Sequence, residues 1–272
     1  MSVHFSCTKC GRCCHDLRLP LAFDEARAWL ERGGDVQLFC DAIVWPQEPP
    51  ADDGLAQHRR RRSFAALSGT LPVRVSVMLV AAFDGACPHL LADMSCGAYA
   101  ERPRVCRIYP AEVNPFRTLD PAAKACPPDA WSATQPLLMR AGQLADADTA
   151  KFVAQSHEAD ERDRMAKAYL CALLGYDTAA LANEGFAIYA PPRAHLASAV
   201  RAAQQACAPL DDPQPRSPHP WRLLTNRSTT LTTLRSVGAT ADATVHKPVP
   251  CGATPAYMGF FPDEPAAPVA DA

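Results

Sequence analysis

The sequence lacks most of the patterns that would assign it a known chemistry. There is no G-x-G-x-x-G, so a dinucleotide or glycine-loop cofactor site has no support. P-loop, H-E-x-x-H and G-x-S-x-G patterns are missing too, as is the C-x3-C-x2-C spacing associated with radical use of S-adenosylmethionine. No internal repeat is present. An excess of charge is also lacking: 27 Lys plus Arg against 29 Asp plus Glu give a net charge of −2. That balance predicts neither a nucleic-acid partner nor an anionic membrane surface. The longest apolar run, residues 75–83, is too short to cross a bilayer. Residues 1–6 carry no basic stretch and no apolar h-region, so no secretory signal is expected. The expected location is the cytoplasm, where thiols stay reduced.

What the chain has in quantity is cysteine and proline, 12 and 26 among 272 residues. Twelve cysteines in a reducing compartment point to metal binding rather than disulfides. Hydrophobic residues make up 48%, but many are alanine. With so many prolines the expectation is a modest core with extended segments between its elements.

A short helix is predicted after Asp24 as N-cap, with its interior over residues 25–31 and Gly33-Gly34 as its stop. Strands are predicted over 36–45 and 73–80, where apolar or small residues alternate. Between them, residues 51–62 read as a solvated loop bearing Arg59-Arg60-Arg61-Arg62. Prolines at 103 and 110 leave room for one helical turn around Val105. From about Gly142 the texture becomes Ala-rich helix. Met165, Tyr169 and Leu173 form one series, and Ala166, Leu170 and Leu174 the next, before Gly175. Another helix after Pro192 carries Leu196, Val200, Ala203 and Cys207 on one stripe. Residues 211–221 read as a Pro-rich linker, 225–246 as a hairpin candidate and 247–272 as an irregular tail.

These patterns divide the cysteines. Cys40, Cys171 and Cys207 lie on or beside apolar faces and read as small buried hydrophobes. Cys251 reads as a surface thiol. The remaining eight are Cys7, Cys10, Cys13, Cys14, Cys87, Cys96, Cys106 and Cys126, all in the first half of the chain. Cys-x-x-Cys lets two thiolates converge on one ion from a tight turn, and Gly11 relaxes the backbone there. Cys7, Cys10 and Cys13 also share the interval used by cubane clusters. Cys14 follows Cys13 directly, and adjacent side chains diverge, so it reaches a second metal or acts as an exchangeable ligand. Two four-cysteine zinc sites, two 4Fe-4S clusters or one of each all satisfy the spacing. Arg102, Arg107, Asp16 and Tyr109 are candidates to surround such a site, while His15 and His89 read as ordinary packed or surface histidines.

The pattern Cys7-x-x-Cys10-Gly11-x-Cys13-Cys14, then Cys87-Pro88-x-Leu90, Cys96-x-x-Tyr99, Arg102-Pro103-x-x-Cys106-Arg107-x-Tyr109-Pro110 and Cys126, resembles the YkgJ-type cysteine-cluster family. This is the CxxCxxCC domain, described as zinc- or iron-chelating, and the likeness covers about residues 5–128. The resemblance implies that all eight cysteines belong to the metal site or sites. A related branch contains flagellin lysine-N-methylase, which acts with S-adenosylmethionine.

The expected fold is α+β: a cysteine-rich metal domain over 1–131 with a few short strands and helices, an Ala-rich helical extension over 132–210, and a Pro-rich linker and tail over 211–272. The expected function is binding of zinc or iron, including an iron–sulfur cluster. The alternatives are a protein lysine N-methyltransferase and an interaction module whose helical half takes a protein partner.

Overall fold

The protein is described from a computed structural model, covering residues 2–207, 217, 219–247, 249–250 and 254–264. In chain order it forms β1 (Ser2–His4), β2 (Arg18–Leu21), α1 (Phe23–Glu31), β3 (Val36–Val44), α2 (Gly54–Arg62), β4 (Ser63–Ser68) and β5 (Leu71–Ala82). Then follow α3 (Arg104–Ile108), β6 (Leu137–Arg140), β7 (Gln143–Leu144), α4 (Ala147–Arg162), α5 (Arg164–Leu174), β8 (Thr178–Leu181) and β9 (Gly185–Tyr189). The chain continues through α6 (Arg193–Cys207), β10 (Arg222–Thr225), α7 (Ser228–Ser236), β11 (Ala241–Ala243) and β12 (Ala256–Gly259). Helices and strands are mixed, and the fold is α+β.

The chain divides into two compact units, and both are discontinuous. The first takes residues 1–36 and 80–162, the second 37–79 and 163–272. The expectation of three consecutive segments does not follow this division, because strands drawn from distant parts of the chain share a sheet. In the second unit β3, β8, β10 and β11 run parallel, with Asp41 opposite Ala180, Leu223 opposite Ala179, and Leu223 opposite Ala241. β9 runs antiparallel to β3, and β12 to β9. β4 and β5 form a hairpin about Gly69, whose φ of +57° is in the left-handed region that glycine tolerates.

Two stretches differ from their sequence expectation. Residues 54–62, expected as loop, form α2. The Asp53 carboxylate accepts from Ala56 N at 2.9 Å and caps the helix, and the four arginines fall in its last turn, at the negative end of the dipole. The expected hairpin begins at the last residue of β10 and holds α7 and β11, and the expected tail holds β12. β10 and β11 are parallel, so α7 is a crossover between them, which a hairpin cannot provide. Trp221 starts this segment, almost fully buried against Phe64 at 5.9 Å, its indole donating to Ser217 Oγ at 2.8 Å. Cys251, expected at the surface, lies outside the described residues, as does the 211–216 part of the linker.

Smaller differences are local. Ala22, not Asp24, is the N-cap of α1; Glu25 Oε2 accepts from Ala22 N at 2.9 Å and supplies the carboxylate half of a capping box. Gly33, with φ +87°, lies just past the helix end as expected. Of the two series on α5, Ala166, Leu170 and Leu174 are buried, while Tyr169 and Leu173 are exposed. Leu196, Val200 and Ala203 of α6 are buried as expected, and Cys207 is half-buried at the helix end.

Candidate metal centre

The first unit gathers the cysteine blocks onto backbone ties. β1 pairs with β6, Val3 opposite Met139, and Ser6 N donates to Ala130 O at 3.0 Å. Phe5 lies 4.9 Å from Trp131. The chain therefore enters the first block fixed. Cys7 to Cys14 then turn tightly: Lys9 (φ +54°) and Gly11 (φ +68°) both take left-handed backbone, and Cys14 N donates to Gly11 O at 2.9 Å. Gly11 is needed for its φ; a Cβ there would lie 2.4 Å from Met94 Cε, the end of a flexible, exposed side chain that can move aside.

The second block docks directly on the first. Cys87 N donates to Cys14 O at 2.7 Å, and His15 bridges Ala86 in antiparallel fashion. Asp16 N donates to Gly85 O at 2.8 Å, and Gly85 N returns a bond to Asp16 Oδ1 at 2.6 Å. Within the block, Leu90 N donates to Cys87 O, Leu90 bridges Cys96, and Gly97 N donates to His89 O at 2.7 Å. Cys87 and Cys96 thus stand at the two ends of a closed turn.

Cys106 comes from α3. Glu25 holds this helix by its first N–H, accepting from Arg104 N at 2.7 Å, while Asp24 accepts from Arg104 Nη2 at 2.9 Å. Arg107 donates from Nε to Arg102 O at 3.1 Å and from Nη2 to Ala100 O, with its guanidinium 5.0 Å from the Phe152 ring of α4. Cys126 is held beside Tyr109, whose hydroxyl oxygen accepts from Ala125 N at 3.3 Å and lies 3.6 Å from Cys126 Sγ.

All eight cysteines of the two blocks line one cavity of about 760 Å³. Cys40, Cys171 and Cys207 do not line it; Cys40 and Cys171 are fully buried in the second unit. The cavity also meets Lys9, Arg12, Arg102, Arg107 and Lys124. Burial pushes the Cys13 thiol up to about 12, with the neighbouring Cys14 charge adding to it. Cys106 also rises to about 12, first through burial and then through Cys14 and Cys87, with Arg102 pulling the other way. Burial raises Cys14, Cys87 and Cys126 as well. A cation in their midst would offset both the burial and the mutual repulsion of thiolates at these five positions.

Among the described residues, no three His, Cys, Asp or Glu side chains stand together closely enough to hold an ion as placed. The donor set still fits a thiophilic metal, since eight thiols face one cavity and Cys13 and Cys14 Sγ are 4.0 Å apart. To hold an ion the sulfur-bearing loops would have to draw together, so that metal binding and local folding are coupled.

Of the flanking candidates, Arg102 stacks its guanidinium 4.0 Å from the Tyr99 ring and exerts its charge on Cys106. Tyr109 touches Cys126, whereas Asp16 shapes the Gly85 turn. His15 Nδ1 bonds Gly11 O at 3.1 Å, and His89 packs edge-on against Trp29 at 5.0 Å. Both histidines therefore have structural partners. Sequence reasoning missed Lys124, which lies 5.5 Å from the Tyr109 ring and pairs with Glu112 at 2.6 Å. Its place two residues before Cys126 was the available signal.

Residues 6–127 match the CxxCxxCC family, described as "Putative zinc- or iron-chelating domain". No curated protein and no solved structure matches the chain. Among the described residues, no helix is long and apolar enough to cross a membrane.

Proposed function

We propose that this protein chelates zinc or iron through cysteine thiolates in a reducing, cytoplasmic setting. The ligands in this reading are Cys7, Cys10, Cys13 and Cys14 of the first block with Cys87, Cys96, Cys106 and Cys126 downstream. One observation carries it: the eight cysteines in metal-type spacings line a single cavity, while Cys40, Cys171 and Cys207 do not. The match of residues 6–127 to a chelating family supports it. Bound zinc would fix the loops without redox chemistry, and iron, alone or as a 4Fe-4S cluster, would add electron transfer. Arg102 and Lys124 would offset the negative charge of a thiolate-bound metal, and the Tyr109 hydroxyl would bond the Cys126 sulfur.

Metal analysis and a visible spectrum of anaerobically purified protein test the proposal. Stoichiometric zinc in a colourless protein, or iron with broad absorption at roughly 400 nm, is the expected result. Cys10→Ser and Cys106→Ser should each lower the metal content. Protein that takes up no metal, or variants that retain all of it, would overturn the assignment. The methyltransferase alternative requires S-adenosylmethionine binding, and heat in a titration of the metal-loaded protein would favour it.

A further inference from the structure

We propose that the cavity of the first unit also binds a small organic anion, a carboxylate or phosphate group on an apolar body, and that Arg102 takes its charged head. The inference goes beyond chelation and does not depend on it. At about 760 Å³ the cavity has the volume of a small-molecule site. A metal held among sulfurs that already form part of the wall would fill little of that space.

The charged side chains of the wall select an anion. Lys9, Arg12, Arg18, Arg102, Arg107 and Lys124 line the cavity, and Asp146 is the only Asp or Glu among the described lining residues. Asp146 is engaged at the start of α4, accepting from Thr149 N at 2.8 Å and from Thr149 Oγ1 at 2.7 Å. Arg18 pairs with Asp84 at 3.1 Å and Lys124 with Glu112 at 2.6 Å, while Arg107 donates to the carbonyls of Ala100 and Arg102. Lys9, Arg12 and Arg102 form no ion pair among the described residues. Arg102 singles itself out. Its guanidinium lies 4.0 Å from the Tyr99 ring, yet its Nε is buried with no acceptor. A buried N–H on a charged group is costly to leave unbonded, and a carboxylate or phosphate oxygen is its strongest acceptor. Leu17, Leu19, Trp29, Leu137 and Leu138 supply an apolar part of the same wall, which a bare inorganic anion would leave uncovered.

Isothermal titration of the 272-residue chain, purified anaerobically and with its metal content measured, tests the site. The probes are benzoate and phenyl phosphate, with benzyl alcohol as the neutral counterpart and inorganic phosphate as the bare anion. At least one aromatic anion should bind at one site per chain, about tenfold or more tighter than benzyl alcohol or phosphate, the scale of one charge-assisted pair. Arg102→Gln, compared at equal metal content, should erase that preference, and Arg102→Lys should keep part of it. No binding of either aromatic anion, equal binding of benzyl alcohol, or a preference that survives Arg102→Gln would overturn the proposal. So would an Arg102→Gln chain whose thiolate-to-metal absorption shifts while anion binding stays intact, since the Nε–H would then serve a sulfur. Where Arg102→Gln fails to fold, photo-cross-linking of 4-benzoylbenzoate to the unaltered chain decides. Labels on the cavity wall, at Leu17, Trp29 or Tyr99, support the site, and labels confined elsewhere overturn it. Protein without metal would overturn chelation, while these titrations would still decide the anion site.

Discussion

Cys87 donates its backbone N–H to the carbonyl oxygen of Cys14 at 2.7 Å, joining two cysteine blocks that are far apart in sequence. The bond is made by the backbone, so it places both cysteines without engaging either thiol. The sulfurs stay available for a metal. The backbone frame and the core of the second unit each have consequences that can be measured.

Gly11 has φ +68°, and its missing Cβ leaves space occupied by Met94. Gly11→Ala should cost roughly 1–2 kcal/mol from the left-handed backbone, with Met94 free to shift its exposed end aside. A lower urea midpoint for the metal-free chain, together with weaker metal uptake, checks this. An unchanged midpoint would show that the turn is not held in this form.

Glu25 accepts from two backbone N–H groups, Ala22 at 2.9 Å and Arg104 at 2.7 Å, and so links α1 to the helix that carries Cys106. Its side chain is only 15% exposed. Glu25→Ala strands both donors and should destabilise the chain by about 2 kcal/mol, the scale of a lost charged acceptor. Glu25→Gln keeps one acceptor and should lose less. Denaturant titration of the two variants side by side measures the difference.

Asp41 of β3 has its carboxyl raised from 3.8 to about 7 by burial, against the opposing pull of Arg62, the Ser76 hydrogen bond and Arg59. The sign follows from proton binding. From about pH 4 to about pH 7 the unfolded chain has released a proton that the folded chain keeps, so this group's contribution to stability falls as pH rises and is flat above that window. Asp41→Asn cannot ionise. Its stability relative to the parent should therefore climb between those limits and level off above about pH 7. Urea midpoints of both proteins across the range test it, and a pH-independent offset would contradict it.

Cys171 is fully buried on α5 in the second unit, as is Cys40 on β3, whose thiol is pushed up by burial and by the neighbouring Cys171. Cys171→Ala removes an atom about the size of a methyl group and should cost about 1 kcal/mol. Metal content should stay at the parental value. A fall in bound metal would draw this thiol into the site and refute the sorting of the cysteines.

The α+β character, the strands at residues 36–44 and 71–82, the helical turn around Val105 and the buried stripe of α6 were all legible in the sequence, because each rests on local periodicity or on proline and glycine. So was the separation of eight clustered cysteines from Cys40 and Cys171, since metal spacings and apolar faces leave different patterns. The helix over residues 54–62 was hidden because four successive arginines carry no apolar period; its evidence is the Asp53 cap and the charge at its C-terminal end. The crossover helix α7 was hidden because threonine-rich sequence favours strand by propensity.

By itself the sequence determined which sulfurs are present, at what intervals, and on which turn glycine sits. Those are properties of the local chain, and they survive without knowing where anything packs. Only the tertiary structure decided which sulfurs face one another. Cys126 meets Tyr109, Cys106 hangs from Glu25, and Cys14 is bound to Cys87, and each of these meetings depends on hydrogen bonds between segments distant in sequence. The same holds for the two units, which interleave along the chain because strand pairing follows sheet register rather than sequence order.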